Sequence, residues 1–101
     1  MTIKLIKRSS EQVELRLEGR LDTNSASAAQ ESFLKIASEY RNIELNFTSL
    51  EYISSAGLRS LLMLQKQVNK TGGSLVLTHV SPAVQEVFEI TGFSSILTIN
   101  S

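Results

Sequence analysis

The sequence predicts an α/β fold: one domain over residues 1–101 in which a mixed β-sheet, begun by an N-terminal hairpin and continued by β-α-β units, is covered by helices on at least one face. Three observations carry this prediction. Apolar and polar residues alternate with period two near the N-terminus. Further on, segments of helical and strand periodicity take turns. Serine or glycine stands where one segment gives way to the next. The chain has 101 residues, 42% of them hydrophobic, which is one domain's worth. For an 11.1 kDa chain, area scaling gives about 5,600 Å² of folded surface against about 16,000 Å² unfolded, enough burial for one core without covalent staples.

The elements follow in order. Ile3 and Leu5 flank Lys4 in a first strand; Val13, Leu15 and Leu17 then alternate with Gln12, Glu14, Arg16 and Glu18 in a second. The polar gap Ser9-Ser10-Glu11 makes the pair an antiparallel hairpin. Gly19-Arg20-Leu21-Asp22 is expected to leave the strand, and Thr23, Asn24 and Ser25 all offer N-cap oxygens. Ala26, Ala29, Phe33, Ile36, Ala37 and Tyr40 recur at helical spacing, so a helix is expected from about Ser25 to Glu39. Ile43, Leu45 and Phe47 alternate again as a third strand, with Thr48 to Ile53 read as a connection.

Ser54-Ser55-Ala56-Gly57 opens the next helix, whose stripe is Leu58, Leu61, Leu62, Leu64 and Val68 and whose end is Gly72-Gly73. The unbroken run Leu75-Val76-Leu77 reads as a strand covered on both faces. Ser81-Pro82 starts a last helix through Val84, Val87, Phe88 and Ile90, closed by Gly92. Ile96 to Ile99 is a short final strand or a packed tail.

Composition excludes several kinds of function. Ten Lys and Arg balance ten Asp and Glu, so the electrostatic footprint of a non-specific nucleic-acid binder is missing. There is no cysteine, hence no disulfide, thiolate or zinc–cysteine chemistry, which suits a cytoplasmic setting. Charges interrupt the N-terminal apolar residues, so no signal peptide is expected, and the longest apolar run, Leu61-Leu62-Met63-Leu64, is far too short for membrane insertion. His79 and Asp22 are the only residues of their types, so no metal cluster and no cofactor are expected. A serine, His79 and Asp22 can be written as a triad, but nearly any chain of this size holds one of each, and the G-x-S-x-G elbow is absent. The chain is therefore expected not to be an enzyme, and His79 to be a loop residue.

The informative segment is Tyr52-Ile53-Ser54-Ser55-Ala56-Gly57-Leu58-Arg59. Two hydroxyls stand where a loop becomes a helix. Capping accounts for one of them. Gly57 weakens the first turn by about 1 kcal/mol relative to alanine, which points to a need for bareness there, so that a backbone or a phosphate can come close. A phosphoserine adds roughly −1.5 to −2 charges, which a helix N-terminus holds without unfolding and an apolar protein contact does not tolerate.

This segment resembles the signature of the STAS domain, the fold of bacterial anti-sigma factor antagonists. Gly19-Arg20-Leu21-Asp22, Gly72-Gly73-Ser74-Leu75, Ser81-Pro82-Ala83-Val84 and Thr91-Gly92-Phe93 resemble further parts of the same family in order, so the resemblance covers nearly the whole chain. It implies a STAS-like fold and a partner switch. The unphosphorylated antagonist binds an anti-sigma factor that is a serine kinase with a histidine-kinase-like ATPase fold, releasing the sigma factor. Phosphorylation on the loop serine turns binding off, and a metal-dependent serine phosphatase resets the protein. On this alignment the acceptor is Ser55, with Ser54 the second choice. The partner-binding residues are Asp22, Ser54, Ser55, Ala56, Gly57, Leu58 and Arg59. Ser54 and Asn46 stand where family members commonly carry Asp. The alternative is a non-switching STAS subunit of another assembly, such as a transporter ATPase complex.

Overall fold

The structure, a computed structural model, describes residues 1–100. Strands β1 (Thr2–Lys7) and β2 (Gln12–Leu21) form the expected hairpin. They are followed by α1 (Ala26–Glu39), β3 (Asn42–Ile53), α2 (Ser55–Thr71), β4 (Ser74–Thr78), α3 (Pro82–Thr91), a 3₁₀ turn at Phe93–Ser95 and β5 (Ile99–Asn100). The sheet order is β1-β2-β3-β4-β5, with β1 antiparallel to β2 and the other neighbours parallel. The accessible surface of 5598 Å² matches the area expected for a fully collapsed chain of this mass.

Alternation along the strands sorts the residues onto two faces. Val13, Leu15 and Leu17 of β2, Ile43, Leu45 and Phe47 of β3, and Leu75 and Leu77 of β4 form one buried row after another. The helices lay Phe33 and Ile36 (α1), Leu61, Leu64 and Val68 (α2), and Phe88 (α3) into the same core. The rings of Phe47 and Phe88 meet at 6.2 Å and 57°, a tilted pair that adds about 0.5–1.5 kcal/mol to the burial of both.

The other sheet face is polar and balanced in charge. Glu14 is only 2% exposed, and its carboxylate accepts from Arg8, from Arg16 Nε at 2.8 Å and from Asn46 Nδ2 at 3.1 Å. Next to it, Thr78 donates to Glu44 at 2.7 Å. An aspartate at position 46 would turn a second carboxylate toward Glu14; the amide donates instead, while its oxygen accepts from the backbone N–H of Thr48 at 2.9 Å. The Arg16 hydrogen bond is the largest cause that lowers Glu14 from 4.5 to about 2; burial opposes it, and Arg8 and Asn46 reinforce it.

Because the folded pKa is depressed, this stabilisation is complete above pH 4.5 and is lost as pH falls toward 2. Both arginine side chains are about half exposed, so solvent screens the pairs and the expected contribution is about 1–2 kcal/mol. Chemical-denaturation curves at pH 6 and pH 2.5 should therefore differ more for the wild type than for Glu14→Gln, by that amount. Equal pH sensitivity would place the acid-labile group elsewhere.

Three expectations are corrected. β2 does not end at Gly19 but continues to Leu21, through register shifts at Arg16/Glu18 and Gly19/Arg20, where Gly19 takes a φ of 98° that a side chain would resist. Thr48 to Ile53 is not a connection. It is the second half of β3, because Leu50 and Ile53 are buried and the shifted β2 supplies partners as far as Leu21↔Ile53. β4 is not covered on both faces: Val76, on the polar side, is half-buried, while Leu75 and Leu77 are buried. Before α1 the capping oxygen is that of Asp22, the helix-capping role open to that residue on N-cap preference, while the Ser25 side chain makes no cap bond. The C-terminal tail does add a strand, β5, beside β4.

Candidate functional site

The segment singled out in the sequence lies where β2 and β3 end together and α2 begins. The N–H of Ser54 donates to the carbonyl of Leu21 at 2.9 Å, tying the loop to the last residue of β2. Ser54 is the N-cap of α2, and its hydroxyl accepts from the N–H of Gly57 at 3.1 Å. The capping role thus falls on Ser54 and leaves Ser55 free. Ser55 is exposed in the first turn, and its hydroxyl takes part in no hydrogen bond among the described residues. Ser54→Ala should cost about 1 kcal/mol in urea unfolding, whereas Ser54→Asp, an equally good cap, should cost far less. Equal losses would deny Ser54 the capping role.

Gly57 is bare because the sheet presses on it. A Cβ there would stand 2.6 Å from the carbonyl oxygen of Leu21, 2.8 Å from its Cγ and 2.9 Å from Cγ1 of Ile53. Of the two kinds of close approach the sequence suggested, the structure has the backbone of its own neighbouring strand. Gly57 and Leu58 are buried and hold the loop from beneath. Ser54 and Ala56 are half-buried, and Arg59 is exposed one turn after Ser55 on the same side of α2.

Asp22 sits half-buried on the adjoining turn. Its carboxylate accepts from the backbone N–H of Asn24 at 3.0 Å and of Ser25 at 3.1 Å. The Ser25 N–H is the main cause that holds the Asp22 carboxyl below its ordinary range, with burial opposing and Ser25's hydroxyl, Asn24 and Arg20 contributing. Sequence reasoning gave Arg20 no role. The shift at Gly19/Arg20 sets it opposite Tyr52, where its guanidinium stacks 4.2 Å from the ring centre and its Nε lies 3.9 Å from Asp22. The signal was the two strand bulges, which alternation does not reveal. Between the first turns of α1 and α2 runs a groove of about 360 Å³, lined by Thr23, Ala26 and Glu31 on one side and Ala56 and Arg59 on the other.

His79 is an exposed residue after β4 with a φ of 56°, and no bond joins it to Asp22 or to a serine among the described residues. Among the described residues no group of three or more His, Cys, Asp or Glu side chains could hold a metal ion. No helix among the described residues is long and apolar enough to cross a membrane.

The site is thus an exposed serine on the first turn of α2, in a two-layer α/β domain whose other sheet face is polar. The STAS domain family model matches residues 4–101, and the chain belongs to that family. It is 44% identical over 79 residues to BtrV of Bordetella bronchiseptica, provisionally named an anti-sigma factor antagonist, covering 75% of this chain and 68% of that one. It is 27% identical to the anti-sigma-B factor antagonist of Bacillus subtilis, covering 95% of this chain and 88% of that one. The fold matches the anti-sigma factor antagonist SpoIIAA in its unphosphorylated form, with a TM-score of 0.78 and 22% identity over 99% of this chain and 88% of that one. It also matches SpoIIAA in the phosphorylated form, a Bacillus cell fate determinant, with a TM-score of 0.76 and 22% identity over 99% and 92%.

Proposed function

We propose that this chain is an anti-sigma factor antagonist: unphosphorylated, it binds an anti-sigma factor serine kinase, and phosphorylation of Ser55 turns that binding off. The observation that carries this reading is the division of labour between the two serines. Ser54 caps α2, and Ser55 is exposed and unengaged beside it. Its relatives' names, and the existence of a phosphorylated SpoIIAA, support the same reading.

The chemistry asked of this chain is small. In the kinase, the Ser55 hydroxyl oxygen attacks the γ-phosphorus of ATP. An O–P bond forms, and the bond from the γ-phosphorus to its bridging oxygen breaks. ADP leaves with that electron pair, and the serine proton passes to a base of the kinase. The product dianion sits on the first turn of α2, where free N–H groups and the helix dipole favour negative charge, so the scaffold tolerates it. The same dianion, pressed against a partner, is desolvated and repelled. In this reading Asp22, Ser54, Ala56 and Arg59 face the partner together with Ser55, and the buried Gly57 and Leu58 support them. A metal-dependent serine phosphatase would hydrolyse the ester and restore the binding form.

The test is to incubate the chain with the anti-sigma serine kinases of its own genome and Mg-ATP, then to locate phosphate by tandem mass spectrometry. One phosphate on Ser55, retained in Ser54→Ala, is expected. Phosphate on Ser54 alone would move the switch by one residue. No phosphate, with purification beside a transport ATPase instead, would favour the non-switching subunit.

A further inference from the structure

The charges of this chain are segregated. The four ion pairs among the described residues, Lys4–Glu18, Arg8–Glu14, Arg16–Glu14 and Arg20–Asp22, all belong to the β1–β2 hairpin, its turn and the loop after it. The outer face of α2 is different. Ser55, Arg59, Met63, Lys66 and Lys70 follow one another at intervals of four, four, three and four residues, so they share one face of the helix, and all five are exposed. None of the three cations takes part in an ion pair among the described residues, and Met63 stands between them with 40% of its surface exposed.

We infer that this stripe is a docking surface for an acidic protein face with an apolar centre, and that the anti-sigma kinase of the proposed switch presents it. The inference rests on that functional reading. Charge complementarity selects the occupant: three unpaired cations around a methionine favour carboxylates around an apolar pocket. A second copy of this chain would oppose like charges across a two-fold axis. A chain of zero net charge with an apolar side chain in the middle of the stripe is a poor match for a phosphate backbone. The stripe also explains how one phosphate can act on a whole surface. Ser55 lies at its end, one turn before Arg59, so a dianion there draws the Arg59 guanidinium to itself and sets negative charge against the acidic partner. Binding is then lost without any change of fold.

The test measures binding of the purified kinase by titration calorimetry at 50 mM and at 300 mM salt. Wild type is compared with Lys66→Glu/Lys70→Glu, Met63→Ser and, on the far edge of the sheet, Lys7→Glu; a 20-base-pair DNA duplex serves as a second probe. Circular-dichroism melts verify that each variant is folded. The expected result is weaker wild-type binding at high salt, about tenfold or greater loss for the double reversal, about fivefold for Met63→Ser, and no change for Lys7→Glu. The double reversal should also raise KM for phosphorylation of Ser55 with little change in kcat, as expected when docking is lost and the acceptor is intact.

Wild-type affinity in the double reversal overturns the inference even if Ser55 is phosphorylated. So does a wild type that does not bind the kinase, and so does a reversal that abolishes DNA binding while kinase binding stays unchanged. Weakened kinase binding in a chain that is never phosphorylated would keep the surface and overturn the switch.

Discussion

Ser55→Ala should bind the anti-sigma kinase as tightly as the wild type and remain bound when ATP is added, because the one group that accepts the phosphate is gone while the surface around it is unchanged. The wild-type complex should separate under the same conditions. The structure makes this a clean experiment. The Ser55 hydroxyl has no partner among the described residues, and Ser54 holds the cap, so alanine removes no bond from the folded chain. Alanine is also the better helix former. The melting temperature should therefore stay within about 2 °C of wild type, since a shift of 1 kcal/mol would move a domain of this size by about 4–8 °C. Ser55→Asp should show the opposite behaviour, with normal folding and weak binding. A Ser55→Ala protein that unfolds would mean that Ser55, and not Ser54, supports the helix.

The second large effect is structural. Gly57→Val should destabilise the domain by more than about 3 kcal/mol, lowering the melting temperature by roughly 12–24 °C. The first carbon added already lies 2.6 Å from a main-chain oxygen of β2. That oxygen belongs to Leu21, which is wholly buried and whose carbonyl also holds the N–H of Ser54, so it cannot withdraw without loosening the switch loop. Gly57→Ala meets the same three atoms with fewer carbons and should fall between wild type and valine. A valine variant as stable as wild type in urea would show that α2 can slide away from β2, and the positioning of Ser55 would then need another explanation.

Much of this architecture was legible because local chemistry and global packing agree. The hairpin, α1, the start of α2 at Ser54, its end at Gly72 and the Ser81-Pro82 start of α3 all follow from periodicity and capping, and all are found. What alternation missed are places where the period itself changes. In the second half of β3, buried residues fall at 47, 50 and 53, three apart, which reads as a loop; the strand persists because the bulged β2 shifts its partners to match. Val76 looks like part of a strand buried on both sides, since a run of three apolar residues does not reveal that one sheet face is open.

The site divides in the same way. The two serines and the glycine are visible as exceptions to good helix composition. Which serine caps, what presses on Gly57 and the stacking of Arg20 on Tyr52 all depend on the register of β2 against β3. That register is a long-range property, set once the bulges are in place.

The central claim is that one phosphate on Ser55 turns off a docking surface without disturbing the fold. The most direct measurement is calorimetric titration of a single kinase with two samples of the same chain, one unmodified and one phosphorylated stoichiometrically on Ser55, with far-ultraviolet circular dichroism and a thermal melt of each. The expected result is at least about a hundredfold weaker binding for the phosphorylated sample, a cost of roughly 2.8 kcal/mol, with superimposable spectra. Equal affinities, or a weaker affinity accompanied by loss of the folded spectrum, would contradict the account.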